Sequence, residues 1–196
     1  MLRRMAATAH VVRCTWQEYL ALEAVSNVKH EYLDGQIYAM AGGSPEHAAL
    51  QVAVPSLLFP ALRQGPWRAH GSDLRVRVLA TGLATYPDVT ILCGPREIDP
   101  EDPHSVTNPT LLVEVLSPST EEYDRGEKFA HYKRIPALRQ YVLVSQSERR
   151  VEVWTREADG SWTGVVSNDG DVAHLGSVGA RLDVRELFDA AAPAVG

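Results

Sequence analysis

Glu114 lies in the middle of an apolar and β-branched run, residues 110–116 (TLLVEVL). A run of this kind predicts a strand that is buried on both faces. Because an ionised carboxylate is costly to bury without a partner, we expect a cation, a hydrogen-bond donor or a water-filled cleft beside Glu114. Glu114 is therefore the first candidate for a functional residue.

A second acid occurs in a similar setting upstream. Asp88 lies near the start of another short apolar run, residues 86–92 (YPDVTIL). Side chains alternate along a strand, so Asp88 shares a face with Thr90, and Glu114 shares a face with Leu112. If the two strands pair, the carboxylates converge. The intervening residues 93–108 contain glycine and several prolines, which predicts a loop or an extended hairpin between neighbouring strands.

Glu31 is a third candidate acid. It precedes Asp34-Gly35, a strong two-residue turn signal, in a hairpin predicted for residues 29–33 and 36–40. The structural alternative is that Glu31 pairs with Lys29 or Lys133 on a solvated surface.

These carboxylates by themselves do not identify a reaction, because carboxylates also serve as general acid and base on other substrates.

Four helices are predicted from capping and proline signals. They cover residues 16–24 after the Thr15–Glu18 capping box, 46–63, a stretch from the Ser119–Glu122 capping box to residue 134, and 183–192. Pro55 is expected to interrupt or kink the second helix, because proline removes a hydrogen-bond donor and clashes with the preceding turn.

The remaining regular segments are predicted strands. Residues 68–79 read as one or two half-exposed strands, 140–144 as a buried strand, and 151–155 with 162–166 as a hairpin around Asp159-Gly160. This alternation predicts an α/β or α+β fold with a central mixed sheet flanked by helices. We expect one domain over residues 13–190, with a flexible N-terminus (1–12) and a loose C-terminal tail (191–196).

The composition of the chain argues against some classes of function. The chain has 196 residues, of which 45% are hydrophobic and 22% charged, and a formal charge of −6, which argues against a protein that coats nucleic acid non-specifically. Its two widely separated cysteines indicate neither a disulfide framework nor a zinc site. Because we recognise no secretory signal and no membrane-spanning segment, we expect a cytoplasmic protein without a membrane partner.

The spacing of Asp88 and Glu114 on two strands resembles the PD-(D/E)XK nuclease superfamily. More specifically, the chain resembles the Uma2 family (DUF820) of restriction-endonuclease-like proteins. The resembling features are spread over residues 15–155 and include Glu31 before Asp34-Gly35, His47 after Ser44-Pro45, Gly71-Ser72-Asp73, Tyr86-Pro87-Asp88, the block 113–120 (VEVLSPST), Asp124, Lys128, Tyr132 and Tyr141.

The resemblance implies a restriction-endonuclease-like core that hydrolyses DNA phosphodiester bonds. Asp88, Glu114 and the backbone carbonyl of Val115 would bind a divalent metal, Mg²⁺ or Mn²⁺. Oxygen ligands of this kind suit Mg²⁺, which keeps several waters and leaves room for phosphate oxygens. A homodimer is expected by analogy with enzymes that cut both strands.

The sequence departs from the superfamily pattern two positions after Glu114, where Leu116 replaces the usual lysine. We predict that Lys128 substitutes for it from the following helix and that Glu31 is an auxiliary acid. The structural alternative for Lys128 is a surface ion pair with Asp124 at i, i+4 spacing.

Further candidates for substrate contact are His47, Asp124 and Tyr132. The competing explanations are a helix-start contact with the backbone for His47 and core packing for Tyr132. The missing lysine and the acidic charge leave a second hypothesis open, in which the chain is a catalytically inactive nuclease-fold protein that binds nucleic acid or assembles with proteins.

Overall fold

Two six-stranded sheets support the acid-bearing strands in the computed structural model, which describes residues 13–40 and 42–193. The main sheet has the strand order β12-β11-β10-β9-β6-β3, and the second sheet has the order β2-β1-β5-β4-β8-β7. A two-stranded ribbon, β13-β14, completes the described strands. The predicted N-terminus 1–12 and residues 194–196 of the predicted tail lie outside the described residues.

The strands are β1 His30–Leu33, β2 Gln36–Ala39, β3 Trp67–Gly71, β4 Arg75–Val78, β5 Leu83–Thr85, β6 Val89–Cys93, β7 Ile98–Asp99, β8 Asp102–Val106, β9 Pro109–Leu116, β10 Gln140–Ser145, β11 Arg150–Arg156, β12 Trp162–Asn168, β13 Val172–Leu175 and β14 Ala180–Asp183. The α-helices are α1 Trp16–Glu23, α2 Pro45–Leu62, α3 Glu121–Arg125, α4 Glu127–Tyr132 and α5 Val184–Ala191. Strands β9 and β10 are parallel, whereas the other pairs in the main sheet are antiparallel, so the prediction of a mixed sheet is confirmed.

The pairing of β6 with β9 is the feature of the fold that matters most for function. All eight residues of β9 are buried, as its sequence predicts. Val89 lies opposite Val113, and Thr90 lies opposite Leu112. This register brings Asp88, which immediately precedes β6, beside Glu114.

Two layers cover the main sheet. On one face, apolar residues of α2, α5 and the β13-β14 ribbon pack on the sheet. On the other face, the second sheet and α4 bury a separate cluster that includes Leu112, Leu116 and Tyr132. At the end of β9, Val115 belongs to the first cluster and Leu116 to the second. Side chains from both layers can therefore reach this end of the strand.

Three of the predicted elements are confirmed by local geometry. Asp34 and Gly35 have φ angles of 48° and 78°, as a two-residue hairpin turn with positive φ requires. The hairpin around Asp159-Gly160 forms between β11 and β12. At the start of α1, the Thr15 hydroxyl accepts from the Glu18 N–H, and the Glu18 carboxylate accepts from the Thr15 N–H.

Helix α2 runs through Pro55, so the expected interruption does not occur, whereas a kink at Pro55 stays a prediction. It begins as predicted, with Ser44 as the N-cap that accepts from the His47 N–H. Leu50, Val54 and Leu58 are buried on the main sheet. Tertiary packing of this apolar face therefore outweighs the local cost of the proline.

The helix predicted between Ser119 and residue 134 is wrong in two respects. Thr120, not Ser119, is the N-cap, and its side chain makes no capping hydrogen bond. The Ser119 hydroxyl bonds instead to the Ser117 hydroxyl. The segment also divides into α3 and α4 at Gly126, whose φ and ψ of −105° and −95° are not helical.

Residues 68–79 form two strands, within the prediction of one or two; the first is half-exposed as predicted, whereas the second is mostly buried. They divide into β3 at the edge of the main sheet and β4 inside the second sheet. Arg75 on β4 is buried, because its guanidinium pairs with Asp102 and donates to the Tyr86 hydroxyl. A charged residue in an alternating pattern was thus a poor guide to exposure, since its partner comes from a distant strand.

None of the helices in the described ranges combines the length and hydropathy that a membrane span requires.

Pro55→Ala should raise the free energy of unfolding by about 1–2 kcal/mol, since it restores a donor inside α2 and removes a clash with the preceding turn. Urea denaturation measures the change. Pro45→Ala is the matched control, because a proline in the first turn costs the helix nothing. A Pro55→Ala protein no more stable than the parent would contradict the interpretation that packing overrides the local cost.

Candidate active site

A buried ammonium lies at the centre of the site. Lys128 Nζ is 3.0 Å from Glu31 Oε1, 3.0 Å from Glu114 Oε1 and 3.4 Å from Asp124 Oδ1. Burial by itself lowers the pKa of Lys128, but the attraction of the three carboxylates outweighs burial, and the pKa is well above its usual value. Lys128 and Asp124 are both buried, so their contact is not the solvated surface ion pair considered from the sequence.

Asp88 is held by groups from two elements. Its Oδ2 accepts a 2.6 Å hydrogen bond from the Val115 N–H on β9. Its Oδ1 accepts from Gln51 Nε2 on α2 and lies 3.3 Å from His47 Nε2. The contact with Asp88 raises the pKa of His47 despite partial burial.

Glu114 projects from β9 next to Asp88. Its Oε2 accepts a 3.4 Å hydrogen bond from the Asp88 N–H, and its Oε1 accepts a 2.7 Å hydrogen bond from the Tyr132 hydroxyl. Burial raises the pKa of Glu114 to about 8; Lys128 opposes this shift, whereas the nearby charges of Asp124 and Asp88 add to it. The metal-free site therefore holds a proton on Glu114 over much of the neutral range.

Glu31 and Asp124 complete the acidic group. Glu31 Oε1 is shared between Lys128 and the hydroxyl of Thr85 on β5. Burial raises the pKa of Asp124, and its Oδ1 lies at an ion-pair distance from Lys128 but makes no hydrogen bond there. Three carboxylates thus contact one lysine, and with Asp88 nearby the described site has an excess of negative charge.

These groups open onto a cavity of about 820 Å³. The predicted site residues that line it are Glu31, His47, Asp88, Glu114, Val115, Asp124 and Lys128. At the floor, Glu114 is only 4% exposed and Asp88 only 8% exposed. The fold therefore brings the acids of the main sheet, the second sheet and α3 together at one solvent-accessible cleft.

Tyr132 is the predicted substrate contact that does not reach the cleft. Its side chain is fully buried, and its hydroxyl donates to Glu114. The reason is its position on α4, whose apolar side packs against the main sheet. We correct its role accordingly: Tyr132 holds Glu114 from inside the core.

Gln51 and Thr85 were missed by the sequence reasoning, although each contacts a candidate acid. A signal for Gln51 was available, because it follows His47 by four positions in an otherwise apolar stretch of α2. Residues four apart share one face of a helix. Thr85 gave no such signal, since its contact with Glu31 depends on the pairing of β1 with β5.

The donor set fits a hydrated divalent cation. Within residues 13–40 and 42–193, no group of three or more His, Cys, Asp or Glu side chains is arranged to enclose a metal. The available oxygen ligands are therefore the carboxylates of Asp88 and Glu114 and the Val115 carbonyl. The N–H of Val115 faces Asp88, and the carbonyl of the same strand residue faces the same side of β9. Mg²⁺ commonly binds through one or two carboxylates and keeps its waters, and the excess negative charge favours such an ion.

Comparisons with known proteins find a matching family and two similar chains. A family model named Uma2 and described as "Putative restriction endonuclease" matches residues 16–185. The uncharacterized protein slr1290 of Synechocystis sp. is 40% identical over 172 residues, which cover 88% of this chain and 90% of that protein. A second uncharacterized Synechocystis protein, sll1609, is 32% identical over 148 residues, which cover 76% of this chain and 84% of that protein.

A solved structure shows the same fold. It is titled as a "putative nuclease belonging to DUF820" from Anabaena variabilis and superposes with a TM-score of 0.71. The match covers 91% of this chain and 99% of the other, at 19% sequence identity. At this identity the likeness shows a shared architecture.

Metal-free protein should lose stability as pH rises from 4.5 to about 8, because folded Glu114 keeps a proton that the unfolded chain has released over this range. Glu114→Gln removes this dependence, so its stability relative to the parent should increase across the window by up to about 5 kcal/mol. Urea denaturation in the presence of a chelator measures the effect. Glu148→Gln, at an exposed glutamate, is the control; parallel curves for Glu114→Gln and the parent would refute the raised pKa.

Proposed function

The chain belongs to the Uma2 family, described as putative restriction endonucleases, and from this premise we propose that it is a metal-dependent nuclease that hydrolyses DNA phosphodiester bonds. The observation that supports the proposal most strongly is the joining of Asp88 and Glu114 at the floor of the cleft through the Asp88 N–H and the Val115 N–H. An oxygen-rich, negatively charged floor needs a cation before it can accept a phosphate.

Asp88, Glu114 and the Val115 carbonyl would hold Mg²⁺ or Mn²⁺. When bound, such an ion supplies a lowered pKa for attacking water and neutralises the charge that develops on the phosphate. Glu114 must release its proton to serve as a ligand. Lys128 assists this release, because its ammonium favours the ionised carboxylate.

Lys128 takes the role assigned to the missing lysine. Leu116 occupies the usual position, and its side chain is buried in the apolar cluster between the sheets. Lys128 reaches Glu114 from α4 and lines the cleft, so its ammonium can donate to a phosphate oxygen or to the attacking water. Glu31 and Asp124 hold this ammonium in place from two other elements.

His47 and Gln51 orient Asp88. Both lie on the first half of α2 and contact the same oxygen of the carboxylate. Side chains that hydrogen-bond to a metal ligand set the orientation and basicity of that ligand. His47 also lines the cleft, and direct contact with substrate stays a prediction for it and for Asp124.

One observation favours the second function, a nuclease-fold protein that binds nucleic acid without cleaving it. Lys128 already contacts three carboxylates, whereas a catalytic lysine must present a donor to the substrate. A cleavage assay separates the two functions, because saturable DNA binding without cleavage at any divalent metal selects the inactive protein.

Asp88→Asn and Glu114→Gln should each lower DNA cleavage in Mg²⁺ or Mn²⁺ by about 100-fold or more, since each removes a charged ligand from the reacting centre. The assay follows plasmid and linear DNA on gels, with a chelator expected to abolish cleavage. Asp189→Asn and Glu148→Gln are matched controls at exposed acids in surface ion pairs. Activity unchanged in both site variants would eliminate the assignment.

Gln51→Ala should weaken Mn²⁺ binding by about 10- to 100-fold, because Asp88 loses a hydrogen bond that holds its carboxylate. Titration calorimetry measures the affinity directly and does not depend on catalysis. Gln64→Ala, just beyond the end of α2, is the control, since the Gln64 side chain donates to the Pro60 carbonyl and does not line the cleft. Equal affinities in Gln51→Ala and the parent would show that Asp88 does not bind the ion in this orientation.

A further inference from the structure

The cleft has an apolar rim beside its charged floor. Val28, Tyr38 and Met40 line the side formed by the β1-β2 hairpin and the turn before it. Val28 is 49% exposed and Tyr38 is 50% exposed, so both side chains are accessible to a ligand in the cleft. A ligand that fits both parts must combine an anionic group with a flat or apolar one.

Strand register places Tyr38 next to Glu31, one of the acids that hold Lys128. Tyr38 lies directly opposite Glu31 in the β1-β2 hairpin. Directly opposed residues project on the same face, so the Tyr38 ring lies beside the carboxylate that contacts Lys128. The Tyr38 hydroxyl donates to Gln36 Oε1 at 2.6 Å, which restrains the ring at the mouth of the cleft.

The cleft offers little positive charge to a duplex. Among the described lining residues, the lysines are Lys29 and Lys128, and arginine is absent. Lys29 pairs with Asp73 at 2.9 Å, and Lys128 is held by its three carboxylates. Duplex and single-stranded DNA are both bound largely through neutralisation of phosphates by Lys and Arg, so this source of affinity is weak here for either form. These walls therefore favour a ligand that gains affinity in another way.

The opposite wall is polar but uncharged. Ser117 Oγ lies 3.0 Å from both Ser119 Oγ and Thr120 Oγ1, and Gln146 donates to Ser44 Oγ at 2.7 Å. Hydroxyl and amide groups can exchange hydrogen bonds with sugar and phosphate oxygens at little electrostatic cost.

A phosphate must enter the cavity to reach the buried acids. In a duplex, the bases that flank this phosphate are paired and stacked, which restricts such entry. An unpaired strand can turn its bases outward onto aromatic side chains, and a cavity of about 820 Å³ is within the size range of small-molecule sites.

We propose that the substrate of this site is an unpaired DNA strand, with one base stacked on Tyr38 while the adjacent phosphate lies at Asp88 and Glu114. This inference rests on the proposed nuclease function and names the substrate class within it. Stacking supplies sequence-tolerant affinity, and a divalent ion with Lys128 supplies the attraction for the phosphate.

Binding is measured by fluorescence anisotropy with the parent protein in Ca²⁺, a divalent ion that takes the same oxygen ligands, using a labelled single-stranded oligonucleotide and the same strand in a blunt duplex. The single strand should bind at least about ten-fold more tightly. Tyr38→Ala should weaken single-strand binding by about ten-fold, whereas Tyr38→Phe should retain it, because the ring and not the hydroxyl makes the contact. Phe59→Ala, at a 61% exposed aromatic on α2 that does not line the cleft, is the control.

Equal or tighter binding of the duplex, no effect of Tyr38→Ala, or no binding of either DNA would overturn the inference. A cleavage assay of the parent protein on both DNAs distinguishes failure of this inference from failure of the nuclease proposal. Asp88-dependent cleavage of the duplex at the single-strand rate rejects the inference and keeps the nuclease. Tyr38-dependent binding of the single strand without cleavage of either DNA supports the bound strand and rejects hydrolysis.

Discussion

The charge of Lys128 is the constraint on which the site depends. A buried ammonium is tolerated only when carboxylates surround it, and buried carboxylates in turn need the ammonium. Glu31, Glu114 and Asp124 come from β1, β9 and α3, so one interaction ties the second sheet, the main sheet and the helical segment together. Loss of this lysine would leave several buried acids without compensation.

The same arrangement leaves the site with more negative than positive charge, and this excess suits it to bind a cation. Glu114 has a pKa near 8 because burial and neighbouring acids outweigh the attraction of Lys128. Strongly shifted carboxylates in clefts are typical of functional sites, where stability is given up for chemistry. A divalent cation would supply the missing positive charge, which is why the donor set and the electrostatics lead to the same proposal.

The fold could be anticipated where local signals are strong. The Asp34-Gly35 turn, the Thr15 capping box and the buried run around Glu114 each formed the predicted element. Local rules failed where distant contacts decide the outcome. Packing on the main sheet keeps α2 continuous through Pro55, and Asp102 buries Arg75 although its strand pattern predicts exposure.

The sequence by itself determined which acids to examine, because a carboxylate in a buried strand must have a partner whatever the fold. It also showed that Leu116 cannot act as the usual lysine and led to the prediction that Lys128 replaces it. Only the tertiary structure decided that Glu31 contacts this lysine, that Gln51 and Thr85 hold the acids, and that Tyr132 lies in the core. The contacts of Glu31 and Thr85 depend on strand register and layer packing, which join residues far apart in the chain, and only Gln51, four positions after His47, left a local pattern.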